Sequence, residues 1–413
     1  MEHRVVVTGM GAVTPVGNSA TETWDAFIAG KNGIGAITRF DTTDFKVKVA
    51  GEVKGLDCAE RLGCNTRHMD LFVQYALVAA DEAIAQAGLD TEGSCDRDRV
   101  GVYVGSGIGG MKSYTDNVDV MRARGARRVS PFMIPMMIAN MAAGEIAIRQ
   151  KLYGPTLPVV TACATSAHTI GEAFRAIKHG YADAIVAGGS EGALVPEAVA
   201  GFTNAKALTK NPDPETACRP FDAGRDGFVM GEGAGIVVLE ELEHARARGA
   251  KILAEVVGYG NTCDGYHITS PDPESRGITR AIVEAMEGTG LDASEGLYIN
   301  AHGTSTKLND ASETRGFKLA LGEEAARAAH ISSTKSMTGH MLGATGAVEA
   351  IACVGALTEG IIPPTIHYAE ADPECDLDYT PNQAVSAQVR WALSTNLGFG
   401  GHNAALAFKA YED

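Results

Sequence analysis

The sequence predicts an α/β fold built from two related halves, and three observations carry that expectation. A strand ending in a polar residue, a glycine and then a helix recurs along the chain: Leu297–Ala301 before His302, Ile331–Thr334 before Lys335, Trp391–Thr395 before Asn396, and Asp183–Gly189 before Ser190. Parallel strands that present functional groups at their carboxyl ends give this pattern. Cys163–Gly180 aligned without gaps on Gly343–Gly360 gives identities at Ala164/344, Thr165/345, Ala167/347, Ala176/356 and Gly180/360. Ala and Gly are common, so this echo counts only alongside the repeated strand–glycine pattern. Finally, 413 residues exceed what a single core ordinarily fills. The halves divide into 1–250 and 251–413.

Taken in order, Arg4–Thr8 reads as a strand followed by Gly9-Met-Gly-Ala-Val-Thr-Pro-Val-Gly17. A dinucleotide-binding turn would need glycine at Thr14, and Pro15 stands where its helix should run, so that reading is rejected. Ala20–Gly30 reads as a helix. Thr66–Gly88 reads as a long amphipathic one, with Met69, Phe72, Val73, Ala76, Leu77, Ala80 and Ile84 at the helical period. Arg99–Val104 is a strand entering Gly105-Ser-Gly-Ile-Gly-Gly110, which matches a phosphate-binding glycine pattern. The acidic residue that should follow a second strand is missing, because that region is basic and broken by proline. A tight turn bringing Ile108 toward a pocket fits better. Ile134–Gln150 is expected to be one buried helix, Phe221–Gly235 a glycine-rich loop, Ile236–Glu240 a strand, Glu241–Gly249 a short charged helix and Lys251–Gly260 a long strand.

Bulk properties narrow the function classes. The net charge of −16 argues against a general nucleic-acid or anionic-membrane binder. No stretch of uninterrupted apolar residues is long enough to span a bilayer, and the N-terminal residues lack the character of an export signal. The eight cysteines show no CxxC pair and no zinc-ligand spacing, which suits reduced thiols in a cytoplasm.

The chemistry centres on Val159–Gly180. Val159 and Val160 are read as a short buried strand leading to Cys163, and the apolar period from Ala167 to Ile177 reads as a helix stopped near Gly180. A cysteine at a helix start faces unpaired N–H groups and the positive end of the helix dipole, both of which favour thiolate. The competing reading is a small buried core residue, as most free cysteines are. His302 and His340 each end a strand next to glycine and threonine, and a lone histidine in such a place is more often structural. Lys335 needs a partner, for which Glu349 on the following helix is a candidate. One cysteine with two histidines suits acyl transfer through a thioester followed by carbon–carbon bond formation. A cysteine protease would more often pair its thiol with one histidine and an Asn or Asp.

The motifs VVVTGMGAVTPVG, GSGIGG, TACATSAH, DGFVMGEGAG, NAHGTST, STKSMTGHMLGATGAVE and GFGGHN run nearly from end to end. Together they resemble the β-ketoacyl-acyl-carrier-protein synthases of the thiolase-like superfamily, and most closely the elongating type II enzymes. The resemblance implies a layered α-β-α-β-α sandwich of two duplicated halves with mixed sheets. It implies acylation of Cys163, then decarboxylation and condensation of malonyl-carrier protein with His302 and His340 stabilising the enolate. The N–H groups of Cys163 and Phe399 would form the oxyanion hole, and Phe399 would also gate the site. Lys335 would orient the site electrostatically, and Glu349 would be structural. Thr304 and Thr306 would hold the phosphopantetheine arm, with Ile108 and Phe202 lining the acyl pocket.

No cofactor is implied beyond the carrier's phosphopantetheine, although some members hold a structural cation near Asn300 and Glu349. The implied partners are a second copy and an acidic acyl carrier protein, met by a basic patch of Arg67, His68, Arg127, Arg128 and Lys206. Two positions depart from the family pattern. Thr395-Asn396-Leu397 stands where Asn-Ser-Phe or Asn-Ser-Leu is usual, and Lys307 stands where proline usually follows. A non-elongating partner subunit would lack the cysteine. A coenzyme A-dependent thiolase would carry a second cysteine near the C-terminus, and none follows Cys375. A polyketide condensing enzyme shares the same chemistry and is left open by the motifs.

Overall fold

The computed structural model describes residues 2–90 and 93–412. Nine strands form one continuous mixed sheet: β1 (Val5–Val13), β2 (Val100–Gly105), β3 (Ala184–Glu191), β4 (Gly233–Glu241), β5 (Ala254–Cys263), β6 (Leu297–Asn300), β7 (His330–Ser332), β8 (Trp391–Gly398) and β9 (His402–Lys409). Their spatial order is β2-β3-β4-β1-β5-β9-β8-β6-β7. The sheet is two half-sheets joined where β1 meets β5 through the antiparallel pairs Val5–Val256, Val6–Glu255 and Val7–Ala254.

The halves repeat one topology. Outward from the join, β4 pairs antiparallel with β1 and β3, and β3 pairs parallel with β2. In the second half β9 pairs antiparallel with β5 and β8, and β8 pairs parallel with β6. Beyond β6 lies parallel β7. Beyond β2, the same place is held by residues 155–157, where Val102 N–H donates to Pro155 O and Leu157 N–H to Val102 O. This duplication is also written in two glycine pairs. Helix α1 (Leu71–Ala87) lies on β1, and a Cβ at Gly9 or Gly11 would sit 2.1 or 1.9 Å from the carbonyl oxygen of Ala83 or Ala79. Helix α3 (Arg276–Met286) lies on β5, and a Cβ at Gly258 or Gly260 would sit 1.8 Å from that of Ala285 or Ala281. Only glycine lets backbone come so near backbone.

Between the half-sheets lie α2 (Thr165–Lys178) and α5 (Thr345–Glu359), which touch each other. Helix α2 reaches β3 in one half and β5 and β9 in the other, while α5 reaches β4 and β8. The five layers are therefore α1, the first half-sheet, the α2–α5 pair, the second half-sheet, and α3 with α4 (Lys307–Leu321). One buried cluster runs through both halves, from Val5 and Ile170 to Val348 and Phe408. The segment Leu342–Glu359 has the length and apolarity of a membrane span, yet 83% of it is buried inside the fold.

Several sequence expectations are corrected. The first strand does not stop at Thr8 but continues through the glycines to Val13, because those glycines serve helix contact rather than a turn. The long helix starts at Leu71, with Asp70 at its N-cap position and its carboxylate taken by Ser113, and not at Thr66. Ile134–Gln150 is two helices, Met133–Met137 and Met141–Gln150, with Pro135 in the first and an extended Ile138 between them. Ile134 is exposed rather than buried. Val159 and Val160 are not a buried strand: they lie at the open margin of the sheet, and Val160 is 52% exposed.

Candidate active site

Cys163 sits at a sharp elbow. Ala162 has φ +52°, costly for a residue with a Cβ, and a 3-10 turn over Ala162–Ala164 leads into α2. Thr161 locks the elbow: its N–H donates to Thr165 Oγ1 at 2.9 Å, and its hydroxyl pairs with His168 Nδ1 at 2.7 Å. The thiol opens on a chamber of about 360 Å³ that is also lined by His302, His340, Phe399, Thr304 and Thr306.

The helix start does not leave a resting thiolate. Burial pushes the Cys163 thiol up to about 12, against the pull of the Lys335 ammonium and of the Phe399 and Cys163 N–H groups. Desolvation of the charged form wins here over the helix dipole. A proton must therefore leave the sulfur during acylation, and the site holds neutral bases. Burial first, and then Lys335, hold both His302 and His340 well below the usual histidine range, with His340 also lowering His302. The two rings meet edge to face with centroids 5.2 Å apart. His302 Nδ1 and His340 Nε2 are buried and have no hydrogen-bond partner among the described residues.

Each histidine is braced from behind. His302 follows β6, and its N–H donates to Glu313 Oε1 (2.8 Å) and Thr395 Oγ1 (3.3 Å), while Gly303 N–H donates to Glu313 Oε2 (2.6 Å). His340 N–H donates to Val229 O at 2.7 Å, Gly231 N–H donates to His340 O, and His340 Nδ1 meets Thr345 Oγ1 at 3.2 Å. The glycine-rich 221–235 loop is thus the backing of His340. Lys335 is 1% exposed and ion-paired with Glu349, whose other oxygen accepts from Asn396 Nδ2 at 2.7 Å. Phe399 is half-buried on the Gly398–Gly401 loop, where a Cβ at Gly398 would lie 2.5 Å from Thr161 O and 3.4 Å from Cys163 N. The Thr304 and Thr306 hydroxyls are 3.0 Å apart.

Other candidate residues are less central. Phe202 does not line the chamber but stacks behind it, 6.2 Å from the Phe399 ring and 5.5 Å from Phe228. Ile108 does not line it either: its side chain is 37% exposed and its N–H donates to Glu191. Its loop turns around that carboxylate, which its glycine pattern could not reveal. Arg67, His68, Arg127, Arg128 and Lys206 are all exposed. His68 stacks on Phe132 at 3.8 Å, linking its loop to the segment after Arg127 and Arg128, while Lys206 stands at the chamber mouth. Sequence reasoning missed Glu313 and Thr395, whose only signal was a buried carboxylate eleven residues after His302. It also missed Glu191, which ends β3 as Gly398 ends β8.

A buried thiol and two neutral imidazoles on one chamber, with a buried lysine–glutamate pair whose lysine acts on all three, set in a duplicated five-layer α/β fold, define a thiolase-like condensing enzyme. The chain belongs to the β-ketoacyl synthase family, matching its N-terminal domain over residues 2–245 and its C-terminal domain over residues 253–369. It is 52% identical over 413 residues to a 3-oxoacyl-[acyl-carrier-protein] synthase 2 of Synechocystis, covering 100% of this chain and 99% of that protein. A β-ketoacyl synthase structure from Burkholderia phymatum superposes with a TM-score of 0.91 at 36% identity, covering 99% of this chain and 100% of that one. A type II polyketide ketosynthase, solved with its acyl-carrier protein and a bound hexaketide, gives a TM-score of 0.91 at 32% identity with both chains fully covered. The chain is an acyltransferase of the elongating, fatty-acid-synthesising type.

Proposed function

We propose that Cys163 carries the growing acyl chain and that His302 and His340 act on the malonyl unit. The observation that carries this is their shared chamber, with both rings neutral and each presenting an unpartnered nitrogen. Cys163 Sγ attacks the acyl thioester carbonyl. The Sγ–C bond forms, the bond to the carrier's pantetheine sulfur breaks, and the thiol proton passes through an imidazole to that leaving sulfur. The tetrahedral oxygen is held by the N–H groups of Cys163 and Phe399, which already approach the sulfur.

Malonyl-carrier protein then loses its carboxylate as CO2, and the bond's electron pair moves into an enolate. With the Thr345 hydroxyl donating to His340 Nδ1, His340 Nε2 carries a hydrogen that it donates to the enolate oxygen, beside His302. The enolate carbon attacks the acyl-Cys163 carbonyl, forming the new C–C bond and breaking the bond to the sulfur, which takes up one proton from solvent through an imidazole. Lys335 supplies positive potential and Glu349 holds it. Thr304 and Thr306 take the pantetheine arm, while Phe399, backed by Phe202, gates the entrance.

The partner is an acyl carrier protein, docking at Lys206 by the chamber mouth with Arg67, His68, Arg127 and Arg128 as further contacts. The solved ketosynthase–carrier complex of a relative supports this. Reversing Arg127 and Arg128 to Glu is expected to raise KM for carrier-bound substrate about threefold or more, and an unchanged KM discards the patch. A second copy would cover the open edge at 155–160, where Leu157 (47% exposed) and Val160 project. Free cysteines throughout suit a cytoplasmic enzyme. Among the described residues, buried Asn300 Oδ1 and Asn396 Oδ1 have no hydrogen-bond partner, and Asn396 also donates to Glu349; such oxygens are of the kind that would hold a hard structural cation. Such an ion would balance charge beneath the site and take part in no step.

The deciding experiment supplies malonyl-carrier protein and a panel of acyl-carrier proteins of different lengths. Cys163→Ala is expected to abolish acylation and condensation, and Cys163→Gln to keep decarboxylation without condensation. Acylation persisting in Cys163→Ala overturns the reading.

A further inference from the structure

The reactive elbow has a twin, and what fills it identifies a further working residue. Leu342 carries φ +48° as Ala162 carries +52°, and its 3-10 turn Leu342–Ala344 runs into α5 as Ala162–Ala164 runs into α2. The tip residue is Cys163 in the first elbow and Gly343 in the second. At the first tip, backbone N–H groups face the sulfur. At the second, Gly343 N–H donates to Glu191 Oε2 at 3.0 Å. The same carboxylate accepts from Gly107 N–H (3.0 Å), Ile108 N–H (3.2 Å) and the Ser106 hydroxyl (2.8 Å). Glu191 is 0% exposed and forms no ion pair among the described residues. Its anion is solvated by backbone N–H groups at a helix start, as an oxyanion would be.

Both elbows meet at this carboxylate. A Cβ at Gly107 would lie 2.8 Å from Glu191 Oε2, 3.2 Å from Ala162 O and 3.4 Å from Gly343 N. We propose that Glu191 is a positioning residue for condensation: it clamps the Ser106–Ile108 loop to the second elbow, and so fixes His340 and the wall beside Cys163. The ionisable group it acts on is the thiol, whose ionisation Glu191 opposes and Lys335 favours. From the loop and the second elbow it receives a hydroxyl and backbone N–H groups. Burial pushes Glu191 itself up to about 7.

The activity arm of the test rests on the proposed condensation, whereas the thiol arm does not. In the purified full-length protein, Cys163 alkylation by iodoacetamide is followed against pH, and condensation is assayed beside it. Glu191→Gln is expected to speed alkylation about three- to tenfold above about pH 8, where the wild-type carboxyl is ionised, by removing a nearby negative charge, and to leave it little changed below about pH 6. Its kcat for condensation is expected to fall about tenfold or more, at unchanged KM, as the loop loses its register. Unfolding would also free the buried thiol and abolish turnover, so both readings are taken on a variant whose circular dichroism spectrum and thermal transition match the wild type. Ser106→Ala, a milder change, is expected to lower kcat about two- to fivefold through one lost hydrogen bond. The proposal is overturned if Glu191→Gln has wild-type alkylation and condensation, or, should that variant not fold, if Ser106→Ala condenses at the wild-type rate. A wild-type protein that is alkylated but never condenses overturns the condensing reading, and the alkylation shift alone then decides the coupling.

Discussion

The two elbows use one backbone device for opposite ends. Each places a left-handed residue, a short 3-10 turn and a helix N-terminus in series. The first turns its N–H groups toward the Cys163 sulfur, where the proposed mechanism seats a thioester. The second gives its N–H to a resident carboxylate, and the half around it supplies His302, Lys335 and His340 instead of a nucleophile. In the proposed mechanism, one copy makes the covalent bond and the other supplies charge and protons. The cost of building the second copy's polar set lies in burial, because Lys335, Glu349 and Glu313 are all out of water, as is Glu191, which the first half lends to the second elbow.

That difference can be broken at its strongest point first. Lys335→Met leaves Glu349 without its cation and is expected to destabilise the fold by about 3–5 kcal/mol, read by chemical denaturation. A near-neutral result would show that the second half does not depend on its buried pair.

The next effect is a slope in pH. The Glu191 carboxyl is raised from 4.5 to about 7 in the fold, so its contribution is fully present below the unfolded value and lost as pH rises through the folded one. Glu191→Gln cannot ionise. Between pH 5 and 8 it is expected to forgo a loss of stability that reaches up to about 3 kcal/mol in the wild type, seen as a flatter Tm profile. Parallel profiles would remove Glu191 from the titration.

The smallest effect compares the two tips directly. Gly343→Ala would set a Cβ 2.4 Å from Gly107 N and is expected to cost about 1–3 kcal/mol. Cys163→Ala, where a Cβ is already housed, is expected to cost under about 1 kcal/mol. Equal costs would mean that the second elbow is no more crowded than the first.

Much of this was legible in the residues. The strand–glycine–helix repeats marked β6, β8 and β3, and the Cys163/Gly343 echo located both elbows. What escaped was decided by contacts distant in sequence. The strand was ended at Thr8 because nothing local tells that Ala79 and Ala83 press on Gly9 and Gly11, and the same spacing in Gly258-Tyr-Gly260, a second mark of duplication, went unread. Val160 looked buried because its composition is that of a core strand, whereas its position is an edge. The helix start at Cys163 was read correctly, but its weight against desolvation could be judged only once the thiol was seen to be buried. Ile108 was sent to the pocket by its loop, and the carboxylate that turns that loop away lies more than eighty residues later.

The contact between α2 and α5 also bears on how the chain is made. On the ribosome, α2 emerges long before α5 exists, so its apolar, small-residue face must wait without its cover while the second half is still being translated. Newly made chains should lean on chaperones during that interval, and the thiol should gain its buried surroundings, Phe399 among them, only after the last strands have been added.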